Sequence, residues 1–465
     1  MEYSGEREAN VNAHKKLLWA NPGCTQAWVE YAELLIELGR LEEARGACSK
    51  AMELEPGHYG ARVQAACVLM HQGHLDDSKA LLQAVITEEP QRLAGFIMLA
   101  DCLVREGDLS AARVVLECSL EQAPGNTIVL DRINIIMARQ GDWVGLRKDM
   151  ERQLVRYSGP EARYVASHLD LLFGDMRLGW EKFESRLDIP DRFVQRLYSE
   201  PLWQGESFVG KTLLLTWEQG FGDTLMFLRY VPLAKRLGGR VILEVQPPLF
   251  EMAATCKGID ELVVPGQNPT NFDYHASLLS LPSIFGTTLE SIPFDIPYLR
   301  IPQLIPDQEM IDHALDIQSR RLRIGVCWSG NRNYPRDIKR SMPTGVLSVL
   351  GALPDVSWYC LQFGASGEAP LPGIISLGPL LNGFPNTAYI LKCMDLVITV
   401  DTVLAHLAGS LGIPTFLLLS FIPDWRWMMG RSDSPWYPTI RIYRQHLPGD
   451  WEGVVQQVFD DLTES

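Results

Sequence analysis

The sequence predicts an α-helical repeat domain followed by two α/β domains with parallel sheets, and three patterns support this prediction. Glycine recurs at a 34-residue step, at Gly39, Gly73, Gly107 and Gly141. Residues 212–245 read as strand, glycine-containing turn, helix and strand, and residues 396–419 repeat that order. Because a strand–helix–strand unit joins parallel strands, each of these units indicates an open parallel sheet.

The glycine column belongs to a repeat that has other fixed positions. Prolines follow the same step, at Pro56, Pro90 and Pro124. Small residues do so too, at Ala32, Ala66 and Ala100. Small side chains let two antiparallel helices approach, glycine ends the first helix and proline ends the second. Residues 25–58 closely resemble a tetratricopeptide repeat (TPR), and the resemblance implies a concave groove that binds a peptide or protein.

Domain limits follow from where these patterns begin and end. The repeats occupy 25–58, 59–92, 93–126, a weaker 127–160 and a divergent segment at about 160–190. Residues 1–24 are expected to form a preceding helix. We predict a TPR domain at 1–190, a linker at 191–210, an N-terminal Rossmann-like domain at 211–305 and a C-terminal one at 306–465.

The composition of the 465-residue chain argues against several classes of function. It has 57 acidic against 42 basic residues and a net charge of −15, so nucleic acid or an anionic membrane is not expected as the main partner. No apolar run approaches the length of a membrane span, and no signal peptide is expected. The nine cysteines form no CxxC pair and no zinc-like cluster, which predicts reduced thiols in a cytoplasmic protein.

The turn after the strand at 396–400 is the first candidate ligand site. Asp401 and Thr402 begin a short helix, and His406 lies one turn further on the same face. The unpaired N–H groups and the positive end of the helix dipole would attract a diphosphate. The alternative stays open that Thr402 only caps the helix and His406 only fills the core.

The turn after the strand at 212–216 is the second candidate. Gly222 would let the backbone pass close to a ligand, and Asp223 would stand at the helix start as a general base. Asp223 could equally be only a helix cap, and Glu218 is a weaker rival for the role of base. The GxGxxG dinucleotide fingerprint is rejected because Leu225 stands where its third glycine belongs.

A polar loop after the predicted strand at 324–328 adds further candidates. Ser329 and Asn331 offer small polar groups, and Arg340 belongs to a local excess of positive charge that fits a diphosphate clamp or a solvated loop. Gln362 stands at the end of the next strand. The aromatic residues near the end of the chain could stack on a ligand or bury a domain seam; they are Trp425, Trp427, Trp436 and Tyr437.

Two α/β halves with facing ligand loops resemble the GT-B plan of glycosyltransferases. The segment DTVLAHLAGSLGIPT resembles the sugar-nucleotide loop of the heptosyltransferases, glycosyltransferase family nine, and EQGFGDTLMFLRY resembles their glycine–aspartate element. The whole chain resembles bacterial TPR glycosyltransferases, and its domain plan is similar to that of the O-GlcNAc transferases. The resemblance implies that Asp223 is the base and that Asp401, Thr402 and His406 bind the donor. Arg340 replaces the family's donor-phosphate lysine.

The resemblance implies a metal-independent transferase that moves a sugar from a nucleotide-sugar donor to a hydroxyl group. The acceptor-side domain would be 211–305, and the domain at 306–465 would bind the donor. The acceptor would be a Ser or Thr of a protein, such as flagellin or another surface protein, captured by the TPR groove. Two alternatives remain: a TPR scaffold with a degenerate nucleotide-binding part, and an enzyme acting on a lipopolysaccharide-type glycan. A homo-oligomer is left open.

Overall fold

The structure is a computed structural model, and its described residues fall into two compact units. The described residues are 11, 14–16, 18–124, 126–156, 159–189, 198–267, 271–315, 321–330, 340–364, 370–447 and 449–464. Contacts divide the chain into Met1–Ala162 and Arg163–Ser465. Thus the helical segment at 163–188 belongs to the same unit as the two sheets.

The first unit consists of paired antiparallel helices. They are α1 (Thr25–Glu37), α2 (Leu41–Leu54), α3 (Tyr59–His71), α4 (Leu75–Glu88), α5 (Leu93–Glu106), α6 (Leu109–Gln122), α7 (Thr127–Arg139), α8 (Trp143–Arg156) and α9 (Pro160–Leu172), the last of which continues into the second unit. The described residues of 11–20 are helical as well.

The repeat columns have the local roles that the sequence predicts. Gly39 ends α1 with a φ of 71°, and its N–H donates to the Ile36 carbonyl at 2.9 Å. The equivalent glycines at 73, 107 and 141 also have positive φ, a conformation that costs glycine little. Ala32, Ala66 and Ala100 are buried where paired helices meet.

The second unit begins with α10 (Met176–Phe183) and a 3₁₀ turn at Glu184–Asp188, which lead into the first sheet. Its elements are β1 (Thr212–Thr216), α11 (Phe221–Phe227), α12 (Val231–Arg236), β2 (Arg240–Glu244), α13 (Phe250–Ala253), β3 (Glu261–Val263), β4 (Tyr274–Ser277) and α14 (Leu281–Ile284). All strands are parallel, in the order β3–β2–β1–β4.

Within the described residues, the second sheet has six parallel strands in the order β10–β9–β8–β5–β6–β7. The elements are α15 (Gln308–Ala314), β5 (Leu322–Cys327), β6 (Val356–Cys360), β7 (Ile375–Ser376), α16 (Phe384–Lys392), β8 (Leu396–Val400), α17 (Val403–Ser410), β9 (Thr415–Leu419), β10 (Ile440–Arg444) and α18 (Trp451–Glu464). Strand bounds at 212–216, 396–400 and 415–419 match the predicted ones. The predicted fold class is confirmed in its architecture: helical repeats precede two α/β parts, each with a parallel sheet.

Two predicted helices differ from the observed elements, and prolines explain both. The helix expected at 224–237 is interrupted by a 3₁₀ turn at Leu228–Tyr230, after which Pro232 lies in the first turn of α12. The helix expected over 302–321 is observed only at Gln308–Ala314, because Pro306 disfavours a helical residue before it. Residues 316–320 lie outside the described part.

Candidate functional site

Each sheet has one point where the strand order reverses, and the candidate residues cluster at these points. In the first sheet the reversal lies between β1 and β4, whose carboxyl ends are Thr216 and Ser277. In the second it lies between β5 and β8, which end at Cys327 and Val400. Open parallel sheets bind ligands in the crevice outside such strand ends.

Asp223 lies in the first turn of α11, beside the reversal of the first sheet. Its Oδ2 accepts a hydrogen bond from the Gly220 N–H at 2.9 Å, so Asp223 caps the helix from its third position, and Gly220, rather than Asp223, is the N-cap residue. Its Oδ1 accepts one from the guanidinium of Arg426, a residue 203 positions further along the chain. Burial raises the pKa of Asp223 above its ordinary value, while these two donors oppose the rise.

The contact between Gly222 and His406 brings the two ligand turns together. A Cβ built on Gly222 would lie 2.8 Å from His406 Cδ2 and 3.4 Å from its Nε2. The His406 ring is held on the other side by Tyr437, whose hydroxyl lies 3.0 Å from Nδ1, and it stacks on Trp427 at 5.4 Å. Burial lowers the pKa of His406 to about 3, so the imidazole is neutral near pH 7.

Arg426 joins the two turns electrostatically, and sequence reasoning did not single it out. Its guanidinium bonds Asp223 and also Asp424, whose Oδ1 lies 2.7 Å from Nη1. Its Cζ lies 4.2 Å from the centre of the Trp425 ring, a cation–π distance. The available signal was a charged Asp-x-Arg pair inside an otherwise tryptophan-rich segment.

Asp401 and Thr402 lie at the start of α17, beside the reversal of the second sheet. The Thr402 hydroxyl accepts from the Leu404 N–H at 3.3 Å, so its capping role is observed. Burial, followed by the negative charge of Asp424, raises the pKa of Asp401 to about 6. Arg340 lies close enough to lower the pKa of both Asp401 and His406, which puts a positive charge near the start of α17.

The other predicted donor residues have distinct positions. Gln362 is buried, and its Oε1 accepts from the N–H groups of Ser329 at 2.9 Å and Trp328 at 3.3 Å. This bond fixes the turn after β5 and leaves Ser329 at the reversal of the second sheet. Asn331, the remaining predicted residue of that loop, lies outside the described residues.

Glu218, the proposed rival of Asp223, forms a buried ion pair with Arg186. Arg186 donates to both Glu218 oxygens, at 2.9 and 3.0 Å, and the Ser277 hydroxyl donates to Oε2 at 2.7 Å. Arg186 is fully buried and also bonds Glu184 at 2.6 Å. The pair anchors the 3₁₀ turn at 184–188 to the carboxyl end of β1.

Neighbouring Gln219 is a second feature that the sequence did not indicate. Its φ of 64° is unusual for a residue other than glycine, and such conformations concentrate at functional turns. Its side-chain Nε2 is buried and makes no hydrogen bond within the described part of the chain.

The four aromatic residues that could have stacked on a ligand are buried in the protein instead. They are Trp425, Trp427, Trp436 and Tyr437. Trp180 of α10 packs edge-on against Trp425 at 5.2 Å and Trp436 at 6.2 Å. These rings therefore pack between the two sheets, beside the candidate site.

The described residues contain neither a candidate metal site nor a helix that could span a membrane. Within them, no group of three His, Cys, Asp or Glu side chains could hold a metal ion. None of the helices in the same ranges is both long enough and apolar enough to cross a membrane.

Comparisons with known proteins identify the repeats directly. Two family models described as tetratricopeptide repeat match residues 11–58 and 69–130. "Protein FlbA" of Caulobacter vibrioides is 25% identical over 327 residues, which are 64% of this chain and 54% of that protein. The chain thus spans about half the length of this curated relative.

Among solved structures, two kinds of protein are similar to different parts of the chain. A glycosyl transferase family 9 protein from Veillonella parvula is 13% identical, covers 57% of this chain and all (100%) of its own, and has a TM-score of 0.42. A thermophilic TPR protein of Thermus thermophilus is 18% identical, covers 36% of this chain and 93% of its own, and has a TM-score of 0.28.

Proposed function

We propose that the protein is a glycosyltransferase that moves a sugar from a nucleotide-sugar donor to a hydroxyl group. The observation that carries the proposal is the approach of Gly222 to His406. It brings the carboxylate of Asp223, at the end of one parallel sheet, to the helix N-terminus at the end of the other. A base and an anion-binding terminus are the two groups that this transfer needs in one place.

The proposed donor site lies at the start of α17. The N–H groups of this helix terminus, capped by Thr402, would face the donor diphosphate, and Arg340 would add a full positive charge. His406, neutral near pH 7, would offer a hydrogen bond rather than a charge to the phosphate or sugar. These groups would stabilise the negative charge that develops on the leaving diphosphate, and the reaction is proposed to be metal-independent.

The proposed base is Asp223. In the transfer it would accept the proton of the acceptor hydroxyl as the oxygen attacks the anomeric carbon and the diphosphate leaves. Its raised pKa, from burial, makes it a stronger proton acceptor than an exposed carboxylate. Glu218 is a poor alternative because its side chain is only 4% exposed, against 15% for Asp223, and is held in an ion pair with fully buried Arg186.

The acceptor proposed is a Ser or Thr hydroxyl of a protein. TPR solenoids bind peptides and proteins in their concave groove, so the repeats would capture the acceptor chain. The family resemblance makes flagellin, or another surface protein, the first acceptor to test.

The first experiment identifies the donor by thermal shift with UDP, ADP, GDP, CMP and their common sugar conjugates. A ligand that binds only the folded protein, at about 100 times its Kd, adds about 2.7 kcal/mol to the free energy of unfolding. One base should therefore raise the Tm by several degrees. No shift with any nucleotide at millimolar concentration would contradict the proposal and favour a TPR scaffold.

The second experiment measures transfer with the donor so identified. Asp223→Asn should lower kcat/KM by about 10²–10⁴-fold, the usual contribution of a general base. Asp433→Asn is the matched control, because Asp433 is an exposed carboxylate paired with Arg431 in the same unit. Full activity of a folded Asp223→Asn protein would refute the assignment of the base.

A further inference from the structure

The short loop that carries Arg426 is fixed on several sides. Asp424 accepts a hydrogen bond from the Arg426 backbone N–H at 3.1 Å and caps the 3₁₀ turn at Trp425–Trp427. Arg444 donates to the Met428 carbonyl at 2.7 Å. The guanidinium therefore approaches Asp223 from a rigid support rather than from a mobile surface loop.

The guanidinium uses separate nitrogens for two carboxylates. Nη1 bonds Asp424 on its own loop, and Nη2 bonds Asp223 on α11 of the other sheet. Nε is buried and has no partner among the described residues. The arginine side chain is 12% exposed and the Asp223 side chain 15%, so water screens this pair weakly.

The charges around Asp223 come from four parts of the chain. Arg426 and Asp424 face it from the loop after β9, with opposite effects on its pKa. The start and first turn of α17 contribute Asp401 and the neutral His406, and Arg340 acts on both. His168 on α9 acts on Asp424. Among these groups, only Arg426 makes a direct bond to Asp223.

We propose that Arg426 is a positioning residue of the transfer site, which holds the Asp223 carboxylate ionised and in one orientation. The inference rests on the proposed function, in which Asp223 is the base. Asp424 is the anchor, because it fixes both the backbone and the guanidinium of Arg426. The base on one sheet is thereby positioned by a loop of the other sheet.

The contacts with two carboxylates explain why this residue is an arginine. A guanidinium presents several N–H donors in a rigid plane, so it can hold two carboxylates at once. A lysine would keep the charge but could not reproduce both directed bonds from the same place. Arg426→Lys should therefore retain part of the effect that Arg426→Gln loses.

The first test is the pH profile of kcat/KM for the parent protein, Arg426→Gln and Arg426→Lys. Loss of an adjacent positive charge should move the acid limb of the profile upward by about one pH unit, because such a charge changes a carboxylate pKa by roughly 1–3 units. At pH values on the acid side of the profile, this shift alone should make Arg426→Gln about tenfold less active than the parent protein. Arg426→Lys should lie between. Arg431→Gln, which removes a partly exposed arginine bonded to the exposed Asp433, is the control and should keep the parent profile.

The second test does not depend on activity. Unfolding by denaturant is measured for Arg426→Gln, Asp223→Asn and the double variant. The pair should change the unfolding equilibrium constant by about tenfold beyond the product of the single effects near pH 7, and this excess should vanish at acid pH. If Arg426→Gln is too unstable to measure, the same cycle is made with Arg426→Lys.

The outcomes separate the two proposals. Absence of transfer by the parent protein would refute the proposed function, while the unfolding cycle would still decide whether Arg426 holds Asp223 ionised. An unchanged pH profile in Arg426→Gln, or no coupling in the cycle, would overturn the positioning role. Higher activity of Arg426→Gln would overturn it too, because it would show that the guanidinium restrains the base.

Discussion

Replacing Gly222 by alanine tests the contact on which the candidate site is built. Gly222 does not have a positive φ, so alanine can adopt its backbone conformation. The new methyl group is therefore opposed only by steric contact with its neighbours. That methyl carbon would lie 2.8 Å from His406 Cδ2. Since carbon atoms in contact prefer about 3.5–4.0 Å, something must move by about 0.7 Å or more.

The His406 ring has little freedom to make that movement. It is buried, hydrogen-bonded to Tyr437 at 3.0 Å and stacked on Trp427 at 5.4 Å. Overpacking of this kind typically costs about 1–3 kcal/mol, and replacing glycine offsets about 0.4–1 kcal/mol through the unfolded chain. We expect Gly222→Ala to lower the free energy of unfolding by about 1–2 kcal/mol.

The effect on function should be larger than the effect on stability. A displacement approaching 1 Å at reacting groups can cost roughly 10²-fold in rate. Donor binding by thermal shift and transfer by kcat/KM are measured beside denaturant unfolding. Gly345→Ala is the matched control, because a Cβ there would have no atom of the described residues within 4 Å, and it should change neither property. Parent-like stability and donor affinity in Gly222→Ala would refute the reasoning.

Three further predictions concern neighbouring groups. Burial raises the folded-state pKa of Asp401 to about 6, so the stability that this carboxyl contributes is fully present below pH 4 and is lost as the pH rises towards 6. Asp401→Asn should flatten the pH dependence of Tm in that window. An unchanged slope would contradict the raised pKa. Glu218→Gln should lower the free energy of unfolding by about 3 kcal/mol, because it removes a charge partner of buried Arg186. The double variant with Arg186→Met should recover part of this lost stability, because it also removes the unpaired charge. Tyr437→Phe removes the hydrogen-bond partner of His406 Nδ1, so it should lower the free energy of unfolding by denaturant by about 1–3 kcal/mol and weaken donor binding. If neither stability nor donor binding changes, this hydrogen bond does not fix the His406 ring.

The residue pattern located the two candidate turns but not the contacts that their residues make. Asp223 and Thr402 stand at helix starts because short-range turn chemistry sets where a helix begins, and that chemistry is legible in the sequence. The same turns look alike whether they bind a ligand or only cap a helix. The sequence also offered Glu218 as a rival base, and only the tertiary structure shows that Glu218 is 4% exposed beside buried Arg186, whereas Asp223 is 15% exposed.

The sequence by itself determined the repeat, the strands and the order of the domains. Glycine and proline at a fixed step, and short apolar runs ending in turns, depend on neighbours within a few residues, so three strands have the predicted bounds. Only the tertiary structure decided that Arg426 bonds Asp223, that Gly222 touches His406 and that the late tryptophans are buried. These contacts join residues far apart in the chain, Asp223 and Arg426 by 203 positions, and they exist because the carboxyl ends of the two sheets pack against each other.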